Sequence, residues 1–277
     1  ITMVVWGGTM STSVSGLFLA GFVPGAMIAL FQMALVLYFA FKRHYPRESS
    51  FDLRELFLSF RGALLGLFTP IIIVGGIVFG FVTPTEASLV AVVYSLIIGI
   101  FVYRTVTVKK FVGLLLDTAR LASIVLFAVG TAAIYGWVLA YYKIPSFLVN
   151  VLGGVTESPQ LMLLIFVGIF LVVGTFMDSV PAIVILGPLL APLAAHVGIH
   201  PLHFAIVGVI SLSFGLVTPP YGLCLLISSE IAGINAMRSI REVGVFLIAM
   251  VMVLVLIIFF PTLTLGIPEA FMPELFR

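Results

Sequence analysis

Long apolar runs, interrupted at a few positions by glycine, proline and threonine, dominate the hydrophobic pattern of the chain. Residues 22 to 41 form the first clear run, with the length of about 20 residues that a helix needs to cross a bilayer. Residues 63 to 103 are too long for one crossing and are interrupted by TPTE at residues 83 to 86, so they predict two spans joined by a turn. A last span is predicted over residues 243 to 260, followed by a short extramembrane tail.

Residues 104 to 153 have a different pattern. Charged residues flank a short apolar stripe between Lys110 and Arg120, which is typical of a helix lying at the membrane interface, and we predict such a helix over residues 104 to 120. Residues 121 to 153 predict a re-entrant hairpin. The positions that interrupt their apolar pieces are Gly130, Gly136, Pro145, Gly153 and Gly154.

Two further segments are broken near their middles. GTFMDSVP at residues 174 to 181 interrupts the first, and FGLVTPPYG at residues 214 to 222 interrupts the second. Unwound backbone at membrane depth is tolerated only where it is buried in protein or lines a polar cavity. Paired, Gly/Pro-interrupted segments point to the binding site of a transporter. The two breaks therefore predict one shared central site.

The second break offers oxygen ligands. Pro219 and Pro220 have no N–H group, so the carbonyls of residues 215 to 218 are expected to be released from helical hydrogen bonding. Together with the Thr218 hydroxyl they would form an all-oxygen site of the kind that holds sodium. A helix restarting near Tyr221 would direct its positive dipole end at an anionic substrate.

The first break repeats this arrangement with Gly174, Thr175, Asp178 and Ser179. Asp178 is the carboxylate of this break, and two interpretations of it remain open. The side chain either contributes to an ion or substrate site or simply caps the helix that restarts before Pro181.

Composition agrees with a membrane protein. Hydrophobic residues make up 62% of the chain and charged residues 9%, whereas soluble domains carry about 25% charged residues. Several helix-length runs favour a helical bundle over a transmembrane barrel, so the predicted class is an all-α polytopic membrane protein. Lys42 and Arg43 directly follow the first span and predict a cytoplasmic loop there.

Other function classes find little support in the sequence. The net charge of +2 is small and gives no indication of nucleic-acid binding, and the single cysteine, Cys224, excludes a disulfide framework. Pro201 interrupts the helical face that His196, His200 and His203 would need to share as metal ligands. Neither a Gly-x-Ser-x-Gly nor a His-Glu-x-x-His motif occurs, so we predict no enzyme.

Four stretches of the sequence carry a family resemblance. GFVTPTEAS, GWVLAYYKIPSF, GTFMDSVPAIVILGPLLAP and HPLHFAIVGVISLSFGLVTPPYGL resemble the carboxy-terminal part of the large membrane subunit of tripartite ATP-independent periplasmic (TRAP) transporters, and the likeness extends from Ile1 to about Pro268. The resemblance implies an elevator-type secondary transporter with inverted repeats, a re-entrant hairpin and broken helices. It also implies sodium-coupled uptake of an organic acid, such as a C4-dicarboxylate or a sialic acid, in the bacterial inner membrane. Its implied partners are a small membrane subunit and a periplasmic substrate-binding protein.

The resemblance also implies site residues. Matched by position, the sodium site is expected at Gly174, Gly215, Thr218 and Tyr221, the last through its carbonyl. The substrate and ion cavity beside it is expected to contain Thr175, Asp178, Ser179, Pro219 and Pro220. Sodium would be the coupling ion, and no other cofactor is expected.

The same resemblance suggests five segments. Residues 1 to 21 are expected to be a remnant of a first-repeat broken helix, since family members carry an upstream repeat. Residues 22 to 103 would be scaffold helices, 104 to 120 an interfacial arm, 121 to 242 the transport domain, and 243 to 277 the last span and tail. The alternative function is an ion channel or a structural membrane subunit in which the prolines only kink helices.

Overall fold

The computed structural model describes residues 1–45, 52–152 and 156–276, and every regular element in these ranges is helical. Within them, six helices are long and apolar enough to cross a membrane, which confirms the predicted polytopic all-α class. The chain divides into two compact units. We call Leu37–Ile124 the middle unit and Ile1–Val36 with Val125–Arg277 the terminal unit.

Two long helices, α2 (Val14–Lys42) and α5 (Val108–Tyr141), contribute to both units. The middle unit also contains α3 (Leu53–Val78) and α4 (Pro84–Ile97), which continues as one π-helical turn. The other helices of the terminal unit are α1 (Thr2–Met10), α6 (Ile144–Leu152), α7 (Pro159–Gly174), α8 (Ser179–His196), α9 (Pro201–Ser213), α10 (Leu223–Ile231), α11 (Ala236–Phe259) and α12 (Thr262–Phe271).

In the middle unit, α3 and α4 pack together as the two predicted spans joined by a turn. The helix α4 begins with a capping box, in which Thr83 and Glu86 each bind the backbone N–H of the other. The Tyr94 hydroxyl donates a hydrogen bond of 2.9 Å to the Leu65 carbonyl and ties the two helices together.

The helix α2 begins earlier than the sequence predicted. Its first residue is Val14, so the predicted boundary between residues 21 and 22 lies inside a continuous helix. The break after α1 occurs instead at Ser11, which adopts a left-handed conformation with φ 52°. Leu17 and Ala20 are fully buried, and the helix continues through Gly21 and Pro24 without a break.

The helix α5 is also longer than predicted. The prediction of a separate interfacial helix over residues 104 to 120 is wrong, because α5 continues past residue 120 to Tyr141 without a break. The re-entrant hairpin over residues 121 to 153 stays a prediction: the end of α5 and the helix α6 follow each other there across a turn at residues 142 and 143. Gly130 and Gly136 weaken a helix but do not end it. The helix ends at Tyr141, where Lys143 takes a positive φ of 54° before α6. Gly153 and Gly154 lie outside the described residues.

The helices α7 and α8 form a helical hairpin. Residues 175 to 178 connect the two helices at one end. At the other end Pro159, in the first turn of α7, and Gly198, just after α8, line the same cavity, so the helices run antiparallel. The next helix, α9, begins beside that cavity and ends at the tip of the hairpin, where Gly174 lies against Leu212.

Aromatic side chains form the centre of the terminal unit. Trp6 of α1 is 1% exposed, and its ring centroid lies 5.3 Å from that of Phe204 and 6.2 Å from that of Phe170. Gly208 of α9 leaves room for the indole, since a Cβ there would come within 2.6 Å of the Trp6 ring. The amino-terminal segment is therefore part of this core.

The carboxy-terminal segment is folded as well. The segment predicted as a short extramembrane tail after Pro261 forms the helix α12 from Thr262, which packs against α9. The Thr264 side chain is 1% exposed, and its Oγ1 lies 2.7 Å from Nδ1 of the buried His203. One polar contact in an apolar surrounding thus anchors this helix.

Candidate functional site

The tip of the α7–α8 hairpin forms the first half of the candidate site. Gly174 ends α7, and Asp178 is the N-cap residue of α8, with its Oδ1 accepting a 2.6 Å hydrogen bond from the Ser179 N–H. Asp178 therefore caps α8, and its second carboxylate oxygen accepts no hydrogen bond from the described residues, so its role in a site stays a prediction. The Thr175 hydroxyl donates to the Val172 carbonyl.

The break between α9 and α10 forms the second half. The chain continues from α9 into a short 3₁₀ turn (Phe214–Val217), becomes extended at Thr218, and passes through a cis Pro219–Pro220 peptide. Gly222 then takes a left-handed conformation with φ 37° as the N-cap residue of α10. The helix restarts at Leu223, two residues after the predicted position at Tyr221.

The two breaks lie directly against each other. A Cβ built on Gly215 would come within 1.7 Å of the Gly174 carbonyl oxygen, so these two backbones touch where only glycine fits. The Tyr221 N–H donates a 2.9 Å hydrogen bond to the Thr175 carbonyl and joins the breaks a second time. The two breaks lie side by side, as the sequence predicted, and the binding site expected there stays a prediction.

Hydrogen bonding decides which carbonyls are available in the second break. The Gly215 carbonyl accepts from the N–H groups of Thr218 and Gly222, and the Thr218 carbonyl also accepts from Gly222. Both had been expected to be free, and both are used because Gly222 folds back over the 3₁₀ turn. Gly215 therefore contributes to the candidate site by its close approach to Gly174 and not by a free carbonyl.

The intervening carbonyls remain without a donor. A helix would pair the Leu216 carbonyl with the N–H of residue 219 or 220, and both residues are prolines. The Val217 carbonyl would pair with Tyr221, whose N–H is bound to Thr175. Among the described residues, neither carbonyl accepts a hydrogen bond, and neither does the Gly174 carbonyl at the hairpin tip. The prolines two and three positions after Val217 are the sequence signal for this arrangement.

Side-chain oxygens add to these carbonyls. The Thr218 hydroxyl donates to the Phe214 carbonyl at 2.7 Å and keeps its lone pairs for another partner. The Ser179 hydroxyl is buried and has no hydrogen-bond partner within the described part of the chain. Gly174 and Gly215 are buried, Thr175, Asp178, Thr218 and Tyr221 are half-buried, and Pro219 and Pro220 are exposed. The candidate site thus contains several carbonyl and hydroxyl oxygens, and some of its residues are exposed at the surface.

Similarity to known proteins identifies the family of the chain. The sequence profile of the family described as "Tripartite ATP-independent periplasmic transporter, DctM component" matches residues 1–263. The chain belongs to this family. The expected family resemblance is confirmed.

Individual relatives cover nearly all of the chain. The Salmonella typhimurium protein YgiK is 39% identical over 95% of the chain, corresponding to 60% of its own length. The sialic acid TRAP transporter large permease protein SiaM of Vibrio cholerae is 35% identical over 98% of the chain and 64% of its own length. The C4-dicarboxylate TRAP transporter large permease protein DctM of Pseudomonas aeruginosa is 35% identical over 97% of the chain and 63% of its own length. The chain therefore spans less than two thirds of the length of these relatives.

Proposed function

We propose that this DctM-family chain contributes the ion and anion site of a permease that couples sodium entry to uptake of an organic acid anion. The observation that carries the proposal is the meeting of the two helix breaks, through the Gly174–Gly215 contact and the Tyr221–Thr175 hydrogen bond. Substrates of the acid class, such as sialic acid or a C4-dicarboxylate, appear in the names of the similar permeases. The permease would lie in the bacterial inner membrane.

The ion would bind to the unpartnered oxygens at the junction. The carbonyls of Gly174, Leu216 and Val217 supply neutral hard donors, and the Thr218 hydroxyl oxygen adds a fourth. Unwound carbonyls of broken helices are the groups that coordinate sodium in transporters of this general design. Asp178 would supply the negative charge, through the carboxylate oxygen that the helix cap leaves available.

The substrate anion would lie at the start of α10. This helix begins at Gly222 without a side-chain cap, so its first N–H groups keep their hydrogen-bonding capacity and the positive end of the helix dipole. A carboxylate placed there would satisfy these groups in the same way as other anions at helix N-termini. Thr175, Ser179, Pro219 and Pro220 would complete the cavity between the two breaks.

The remaining parts of the transporter follow from the family. A periplasmic substrate-binding protein would deliver the acid, and a small membrane subunit would accompany the permease. In an elevator mechanism the terminal unit, which contains both breaks, would act as the transport domain. The middle unit would belong to the scaffold.

Replacing Thr218 with alanine is expected to raise the sodium concentration needed for half-maximal uptake by the full-length protein by about fivefold to thirtyfold. The reason is the loss of one oxygen ligand worth about 1 to 2 kcal/mol. The measurement is uptake into proteoliposomes as a function of sodium concentration. Thr118→Ala is the matched control, because its exposed hydroxyl also donates a 2.7 Å bond to the carbonyl four residues earlier. Equal sodium dependence of the two variants would remove Thr218 from the site.

Replacing Asp178 with asparagine separates its two possible roles. The amide oxygen can still accept from the Ser179 N–H, so we expect α8 to keep its start and the protein to keep its melting temperature. The charge is lost, and we expect sodium affinity, measured from uptake, to fall at least about tenfold. Wild-type sodium dependence in Asp178→Asn, together with destabilisation in Asp178→Ala, would assign Asp178 to capping alone.

A further inference from the structure

A cavity of about 230 Å³ lies at the opposite end of α9 from the two breaks. Its lining includes Gln160 of α7, His203 of α9, and Leu265 of α12. Twelve residues of helical backbone separate His203 from Gly215, which corresponds to roughly 18 Å at 1.5 Å per residue. The cavity is therefore separate from the proposed ion site.

The contacts of Thr264 assign a tautomer to His203. The Thr264 hydroxyl lies 2.8 Å from the Pro261 carbonyl and 2.7 Å from His203 Nδ1, and its single hydrogen can be donated to one of them only. Because the carbonyl can only accept, both contacts are hydrogen bonds when the hydroxyl donates to Pro261 and Nδ1–H donates to the hydroxyl, and we assign this tautomer. In the neutral ring Nε2 is consequently an acceptor.

That acceptor has no donor in the structure. His203 is 3% exposed, and its Nε2 is buried without a hydrogen-bond partner in the described ranges. A buried unsatisfied group of this kind costs about 1 to 3 kcal/mol, which a donor entering beside the ring would recover. The neighbouring His200 does not supply one, since its Nδ1 accepts from the Leu202 N–H and its ring stacks on Phe276.

Gln160 offers the complementary group. Gln160 lines the cavity, and its Oε1 accepts from the Ser158 hydroxyl at 3.0 Å, so this contact does not use the two N–H donors of the amide. A hydroxyl group both donates and accepts a hydrogen bond. It can therefore donate to His203 Nε2 and accept from Gln160 at the same time.

The rest of the lining defines the body of the ligand. The rest of the lining is mostly aliphatic, with Leu163, Ile199 and Ile258 beside Leu265, and contains no carboxylate, lysine or arginine. An ion would find no opposite charge there, whereas an apolar body would be accommodated. An apolar cavity of about 150 Å³ is large enough to hold benzene, so this one has room for a short alkyl chain.

We propose that this cavity is a second binding site, which takes a neutral alcohol by hydrogen-bonding its hydroxyl group to His203 and Gln160 and burying its alkyl part among the aliphatic residues. The alcohol is either a free small molecule or the free hydroxyl of an uncharged lipid such as a diacylglycerol. Both present the same chemistry to the two side chains.

The test is ¹⁵N-histidine NMR of the full-length permease in phosphatidylcholine nanodiscs, a lipid without a hydroxyl donor, titrated with n-butanol. We expect the His203 Nε2 resonance to begin as an unprotonated nitrogen and to move upfield saturably with butanol. The exposed His196 serves as the internal control and is expected to show only a small linear change. Gln160→Leu is expected to weaken the His203 response at least about fivefold, and Leu265→Phe, which fills the cavity, to remove it.

A second sample in phosphatidylcholine nanodiscs that also contain diacylglycerol, without butanol, distinguishes the two sources. A His203 resonance already at its butanol-saturated position would assign the hydroxyl to the lipid, and a resonance that still responds to butanol would assign it to a free alcohol. A His203 response in phosphatidylcholine no larger than that of His196, or a protonated Nε2 in the neutral ring, would overturn the proposal.

Discussion

A Gly215→Ala variant of the full-length permease is expected to lose more than about nine tenths of its uptake activity. The new methyl carbon would lie 1.7 Å from the Gly174 carbonyl oxygen, and its nearest neighbours are backbone atoms, which cannot move aside as a flexible side chain can. The two breaks would have to separate, and this would weaken the Tyr221–Thr175 hydrogen bond and displace the unpartnered carbonyls around it.

The matched control is Gly168→Ala in the middle of α7, where a Cβ would meet no atom within 4 Å. This change also improves helix propensity by up to about 1 kcal/mol, and we expect wild-type uptake from it. Protein amount in the membrane and gel-filtration profile are measured for both variants. Normal uptake by folded Gly215→Ala would show that the contact between the breaks is not needed for transport.

A Trp6→Ala variant is expected to lower the free energy of unfolding by about 3 to 5 kcal/mol, the range for large-to-small changes at fully buried aromatic residues. The indole is 1% exposed and packs against Phe170 and Phe204, and its removal leaves the space beside Gly208 empty. Denaturant unfolding of the full-length protein in detergent measures the loss.

The second tryptophan of the chain provides the control. Trp137 of α5 is 66% exposed, so Trp137→Ala is expected to change the unfolding free energy by no more than about 0.5 kcal/mol. Comparable losses in the two variants would contradict the assignment of α1 to the core of the terminal unit.

The fold was predictable from sequence where the chain contains strong helix breakers. The break at residues 214 to 222 contains two adjacent prolines, and the capping box at Thr83 is a local signal, so both were located correctly. The boundaries of α2 and α5 were not predictable from local signals, because α2 continues through Pro24 and α5 continues past the charged residues Asp117 and Arg120, both of which suggest an end. The position of α12 depends on a contact between His203 and Thr264, residues 61 positions apart, which no local pattern reveals.

The candidate site was predictable in outline but not in its hydrogen bonding. The two prolines, which have no N–H group, identified the segment of residues 215 to 218 as one with free carbonyls. The structure shows that within this segment the carbonyls without a hydrogen bond are those of Leu216 and Val217. The use of the Gly215 carbonyl by Gly222 follows from the left-handed conformation of Gly222, which the sequence allows but does not require. The contact of Gly174 with Gly215 joins segments 41 residues apart in sequence, and spacing alone could not establish it.

Sodium-dependent uptake tests the central claim most directly. Proteoliposomes containing the full-length permease and its small membrane subunit would be supplied with a radiolabelled organic acid and the periplasmic binding protein, with an inward gradient of either sodium or potassium. We predict accumulation that requires both the sodium gradient and the binding protein. Equal flux in sodium and potassium, without need of the binding protein, would contradict the account and favour a channel in which the prolines only kink the helix.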